Sequence, residues 1–550
     1  MRRVWLTASC LVLATFLQAQ ADKAPFNDSI RVADLKADLY FLAGDGFKGR
    51  LVGTPENALA AEFVRSRFER AGLRPAAAGS SFIQPVNLMV ATLGQENLLE
   101  IAGADGTSMR LRPEQEFYPQ RFSASGRVRA PLVYAGFGIT SAALSYDDYA
   151  ADRVKGRIVL ILEHEPGERD PASPFDGVVT AEAAVPIKKV LAAQERGAVG
   201  VLMVADVHNH PAAMNFEAQA RAFWPPEPPR VDRFTLASWA DRVRIPVAQV
   251  SPALASILVR GSGRSLEDLS RAAETSRGFE PLPLAGIEVA LTTSVDRHVV
   301  PDRNVLGYIE GSDARLKDEL VIVSAHYDHE GADDQRVFNG ADDDGSGTVA
   351  LIEIAEAYGL AAQANQRPRR SVLLACWGSE ERGPLLGSWA YTENPLWPLE
   401  RTVAVLNMDM IGRNEEVPVG GGPRFNGLEE QTAESNRNAV NILGYTRTPE
   451  LSTLVERTNK VHGLDLKLRY DNNASNLLRR SDQWPFLQRG VPALWFHSGL
   501  HPDYHTQYDR PEKINYVKME KIARLIYQAS WNLANAAARP KNTSTASVEK

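Results

Sequence analysis

Glu319-Leu320-Val321-Ile322-Val323-Ser324-Ala325-His326-Tyr327-Asp328-His329 decides how this chain is read. It begins as an apolar, β-branched run of strand length and ends in two imidazoles and a carboxylate. Similar runs stand at 304–309, 371–377, 403–406 and 491–496. Helical periodicity lies between several of them, at 347–358, 449–461 and 516–536. Strands alternating with helices predict an α/β sandwich around a largely parallel central sheet. In such sheets, sites form beyond the carboxyl ends of the strands.

The residues at those ends share a chemistry. In His326-Tyr327-Asp328 a histidine precedes a carboxylate by two. One ring nitrogen can bind a metal while a carboxylate holds the other N–H; taken alone, the pattern also fits a surface turn. Gly340-Ala341-Asp342-Asp343-Asp344-Gly345-Ser346-Gly347 opens the next helix. Three adjacent carboxylates repel one another, and a cation relieves this. An acidic helix N-cap is one alternative. Another is an EF-hand calcium loop of Asp342, Asp344, Ser346, Gly347 and Glu353, although no amphipathic helix leads into it. After strand 371–377 come Glu380 and Glu381; one of such a pair can bind metal while its neighbour handles protons. Asp409 sits between Met408 and Met410 in an apolar run, where an unpartnered carboxylate is costly. His501 and His505 follow the last run. A mixed nitrogen and oxygen set suits zinc rather than calcium or magnesium.

With 550 residues, 44% of them hydrophobic, the chain is long enough for several domains. Its 61 basic and 68 acidic side chains make no positive field for nucleic acid or anionic lipid. Arg2, Arg3, the apolar stretch 4–17 and Ala19-Gln20-Ala21 predict an export signal at 1–21, hence a periplasmic or extracellular destination. That stretch is shorter than the roughly 20 residues of a bilayer span. No later segment is longer and more apolar, so no stable membrane insertion is expected once the signal is removed. Cys10 leaves with the signal; Cys376 remains alone, expected as a buried small hydrophobe. Between about 130 and 247 the texture changes to its own strand–helix–strand rhythm. An extended loop there is marked by Pro225, Pro226, Pro228 and Pro229. This block shows no histidine–carboxylate cluster of catalytic type and reads as an inserted lid or docking domain.

Taken in order, Ala325-His326-Tyr327-Asp328, the Gly340–Gly347 segment, Glu380-Glu381, Asn407-Met408-Asp409-Met410-Ile411-Gly412 and Tyr504-His505-Thr506 resemble the co-catalytic di-zinc aminopeptidases. Glutamate carboxypeptidase and glutaminyl cyclase are relatives of that family. The resemblance implies a three-layer sandwich of zinc exopeptidase type. The inserted block resembles a smaller, β-rich protease-associated domain, through Val154-Lys155-Gly156-Arg157-Ile158-Val159-Leu160 and Gly197-Ala198-Val199-Gly200-Val201. The implied division is signal 1–21, first peptidase part 22–128, insertion about 129–284, main peptidase part 285–540 and a disordered tail 541–550. Two zinc ions per chain are implied, with Asp343 bridging, His326 and Asp409 completing one site, and Glu381 and His505 the other. Glu380 becomes the general base and Asp328 the residue that orients His326. Asp509 matches a downstream acidic position, and the Asp343–Asp344 peptide is implied to be cis. The implied activity is that of an exported metallopeptidase, an aminopeptidase acting on peptides with a free terminus. A carboxypeptidase or dipeptidase is the alternative; it needs a basic pocket, for which Arg413, Arg479 and Arg480 are candidates. A non-catalytic binding protein on the same fold is the alternative of another class, and the presence of all five ligands and Glu380 speaks against it. Two departures stand out: an extra residue before Gly387-Ser388, and Leu478 where some relatives place a tyrosine.

Overall fold

Strand Leu320–His326 is buried along its whole length, as a strand covered on both faces must be. Val321, Val323 and Ala325 face one apolar layer with residues of helices Gly347–Gln363 and Tyr516–Asn535. Leu320 and Ile322 face another layer with Tyr391 and Phe486. The period-two alternation thus builds three layers, helix–sheet–helix. The computed structural model describes residues 23–542 except 104, 105, 107, 152, 171, 172, 176, 178, 179, 212–214 and 382–384. The expected export signal, tail residues 543–550 and the loop holding the extra residue lie outside the described residues.

At the centre of the ten-stranded sheet, Ser371–Trp377, Leu320–His326, Thr402–Met408 and Ala493–His497 run parallel. The flanks are antiparallel: Val295–Ile309 and Ile83–Leu93 on one side, Ala439–Leu443 on the other. Four parallel strands bring four carboxyl ends to one edge, which is what a convergent site requires.

A second, eight-stranded sheet grows out of the first. Ile83–Leu93 and Val295–Ile309 pair from Ile83↔Val305 to Leu93↔Val295, and the second sheet is built from the chain between them. Its core strands Gly126–Tyr134, Ile158–Leu162, Gly200–Val204 and Val247–Val250 are parallel. This sheet reaches beyond 129–284 on both sides. Leu98–Ala102 and Ser108–Leu111 join it through Leu282–Thr293, and Phe117–Pro119 joins through Val247–Val250. The sequence reading assigned these three strands to the first peptidase part. Short strands carry no address for a partner almost two hundred residues away.

Cys376 is buried, with its Sγ 3.6 Å from Thr348 Oγ1. Burial pushes its thiol well above the usual range, as expected for an inert small hydrophobe. Among the described residues, no helix is long and apolar enough to cross a membrane.

Candidate active site

His326 is the last residue of its strand, and Asp409 follows Thr402–Met408 directly. Glu380 and Glu381 lie just past Ser371–Trp377, and His505 is in the loop after Ala493–His497. Asp343 comes from the 341–346 turn that opens helix Gly347–Gln363. These segments are far apart in sequence, yet the parallel sheet gathers them. His326 Nε2 stands 3.4 Å from Asp343 Oδ1, 3.7 Å from Asp409 Oδ1 and 3.9 Å from Glu380 Oε2. His505 Nε2 stands 2.9 Å from Asp343 Oδ2 and 3.2 Å from Glu381 Oε2. The two oxygens of Asp343 therefore face two different donor groups.

His326, Asp343 and Asp409 are buried, Glu381 and His505 half-buried, and three of the ring nitrogens are orphans. No hydrogen bond reaches either ring nitrogen of His326 or Nε2 of His505, although buried polar atoms normally have partners. Imidazole nitrogen beside carboxylate oxygen is a donor set for zinc-like ions, so the residues present fit that group. Burial opposes ionisation of Asp343, but His326 and His505 hold its carboxyl well below the usual range. Burial, aided by Asp409 and Glu381 and opposed by His326, pushes Glu380 well above it. A carboxyl that readily retains a proton is suited to proton transfer.

The neighbours of Asp343 have other tasks. Asp344 accepts hydrogen bonds from the N–H groups of His326, Gly347 and Met410. Asp342 accepts from the N–H groups of Gly412 and Arg413 and lies 3.3 Å from His501. Glu353 lies near Asp34 and Asp38 instead. The calcium-loop alternative therefore has no convergent oxygen set. Asp509 accepts from the N–H groups of Asp342 and Asp343, and the Asp343–Asp344 peptide is cis. Asp328 is 3.6 Å from His326 Nδ1, too long for a hydrogen bond. Its oxygens instead accept from the N–H groups of Glu380 and Glu381. Of the arginine candidates, Arg413 pairs with Asp503 and Arg480 donates to the Ser475 carbonyl. Arg479 lines a cavity of about 300 Å³ between the two sheets, with Trp239, Trp389, Trp484 and Leu385. The N–H of Leu385 donates to the Glu380 carbonyl, so this cavity adjoins the site. Leu478 is buried in an apolar cluster.

Sequence reading missed three contributors. His329 is fully buried, with Nδ1 2.7 Å from Glu381 Oε1 and 3.9 Å from Asp343 Oδ2. Glu330 places Oε1 3.2 Å from His505 Nδ1. His329 closes the motif already singled out and Glu330 follows it directly; the turn after Asp328 decides which side chains face inward. Arg50 is buried and donates to the carbonyls of Tyr327, Asn339 and Gly340. Its guanidinium lies beneath Asp328, Asp343, Asp344 and Asp509. In sequence it ends the loop-like stretch Gly44-Asp45-Gly46-Phe47-Lys48-Gly49-Arg50, where nothing marks it as a site residue.

Residues 304–530 match peptidase family M28, and residues 128–256 match the PA domain. A probable glutamate carboxypeptidase of Zea mays is 26% identical over 508 residues, 87% of this chain and 62% of that protein. Aminopeptidase NAALADL1 of Mus musculus is 41% identical over 248 residues, 42% of this chain and 31% of that protein. The chain thus spans less than two thirds of these curated relatives. A solved aminopeptidase from Aneurinibacillus sp. strain AM-1 aligns with 95% of this chain and 98% of its own, at 18% identity and a TM-score of 0.47. Both matched segments lie on a three-layer sandwich interrupted by a second sheet, and together they fit peptidase family M28 with an inserted PA domain.

Proposed function

We propose that this chain is an exported exopeptidase with two zinc ions that removes amino-terminal residues from peptides. The observation that carries the reading is the split of Asp343, with Oδ1 toward His326 and Oδ2 toward His505. One ion would be held by His326, Asp343 and Asp409, the other by Asp343, Glu381 and His505. When bound, such ions supply Lewis-acid polarisation and a more acidic water. Glu380 accepts the proton of the attacking water and returns it to the departing amine. Asp328 holds the Glu380–Glu381 backbone so that the two carboxylates keep separate tasks. The mouse relative named an aminopeptidase supports amino-terminal specificity, and the export reading rests on residues 1–21.

The test is metal content together with hydrolysis of an aminoacyl-anilide panel. About two zinc ions per chain are expected. Glu380→Ala is expected to keep them and to lose activity by about 10²- to 10⁴-fold. A chain that binds no transition metal overturns the reading. A second reading, carboxy-terminal specificity, draws on the maize relative's name and on Arg479 in the cavity beside the site. Cleavage of amino-blocked peptides with a free carboxylate, lost in Arg479→Ala, would favour it.

A further inference from the structure

The inserted domain shows no histidine–carboxylate cluster of catalytic type in its sequence, but its fold assembles a His–Glu–His group of another kind. Strands Ile158–Leu162 and Gly200–Val204 are parallel neighbours, and the loops leaving their carboxyl ends carry His164 and Glu168 on one, His210 on the other. Glu168 Oε2 is 3.1 Å from His164 Nδ1, and Oε1 is 2.5 Å from His210 Nε2. The two imidazoles stack with centroids 4.2 Å apart and planes 24° apart. One donor atom from each residue lies within 4.8 Å of the others.

The scaffold beneath is fixed independently of the three side chains. Glu274 accepts from the N–H of Gly167 in the first loop and from Asn209 Nδ2 in the second. Asp206 accepts from Asn209 Nδ2 and from the N–H of His208. The Lys189 ammonium donates to the Leu162 and His164 carbonyls. Donors that converge on a scaffold held by other bonds are pre-organised.

We propose that His164, Glu168 and His210 form a divalent transition-metal site, distinct from the catalytic centre, that fastens these two loops together. Two imidazoles and a carboxylate favour zinc, nickel or copper, whereas calcium and magnesium require oxygen donors. The rings keep 41% and 43% of their surface exposed, so the remaining coordination positions open to solvent, where water or an outside side chain completes the shell. The rival is a plain hydrogen-bonded His–Glu–His trio that needs no ion.

Zinc binding separates the two. In a full-length chain carrying His326→Ala and His505→Ala, dialysed against buffered micromolar zinc, one equivalent is expected to remain. Adding Glu168→Ala and His210→Ala is expected to abolish it. No zinc on the first chain, or undiminished zinc on the second, overturns the proposal. Should the centre-depleted chain fail to fold, the intact chain is compared with its Glu168→Ala/His210→Ala variant. That variant is expected to hold one equivalent less, with anilide hydrolysis unchanged; equal zinc content overturns the proposal. Because catalytic activity is scored separately, failure here is distinguishable from failure of the exopeptidase reading.

Discussion

Arg230 grips Glu330 across the boundary between the inserted domain and the peptidase sheet. Its Nη2 lies 2.9 Å from Glu330 Oε2, and Nη1 donates to the Glu330 carbonyl. The guanidinium also lies 4.4 Å over the Phe338 ring. The other Glu330 oxygen is the one beside His505 Nδ1. The proline-marked arm of the inserted domain is thereby tied to an imidazole that faces Asp343 and Glu381. A carboxylate behind an imidazole fixes its tautomer and ring orientation.

Arg230→Gln is therefore expected to weaken zinc retention about tenfold, at the low end for loss of an outer partner. It should lower kcat more than it changes KM, since the arm positions a ligand rather than substrate. Chelator competition and steady-state kinetics check this. Unchanged zinc affinity and kcat in a folded variant would remove the arm from the mechanism.

Arg50 makes a sharper case. It ties the loop carrying His326 to the turn carrying Asp343 through carbonyls of both, while facing four buried carboxylates. Removing one partner from a buried charged network costs about 3–5 kcal/mol. Arg50→Met is expected to lose stability on that scale in urea unfolding. Arg50→Lys should recover only part of it, because a single ammonium cannot reproduce a fork reaching several carbonyls.

Much of this was legible because the informative residues lie at the ends of strand-length apolar runs. His326, Asp343, Glu380, Glu381, Asp409 and His505 each follow or open a segment whose periodicity identifies it, and a parallel sheet has one place to put such ends. Arg50 and Arg230 sit in loops with no period, and their value comes from partners 277 and 100 residues away. His164 and His210 likewise meet only because two strands pair. Which strands enter the second sheet was illegible for the same reason: Leu98–Ala102 needs Glu288–Thr292, and alternation alone names no partner.

The two donor groups predict unequal consequences of ligand loss. Asp343 alone faces both, whereas Asp409 faces only His326. Asp343→Ala is expected to lose both zinc ions and Asp409→Ala one, read as metal per chain after dialysis. If the two variants keep equal metal, the bridging role is wrong.

Glu353 gives a pH test away from the catalytic chemistry. Burial, with Asp34 and Asp38 adding to it, pushes its carboxyl up to about 7 from 4.5. Between those values the folded chain keeps a proton that the unfolded chain has released. Stability therefore falls as pH rises from 4.5 to 7 and levels off above. Glu353→Gln cannot ionise, so it should remove that slope, leaving the variant more stable than the wild type at pH 8 by about 3 kcal/mol. The two should converge toward pH 4.5. Urea unfolding at pH 5, 6.5 and 8 checks this, and parallel pH profiles for the two proteins would show that Glu353 ionises freely in the fold.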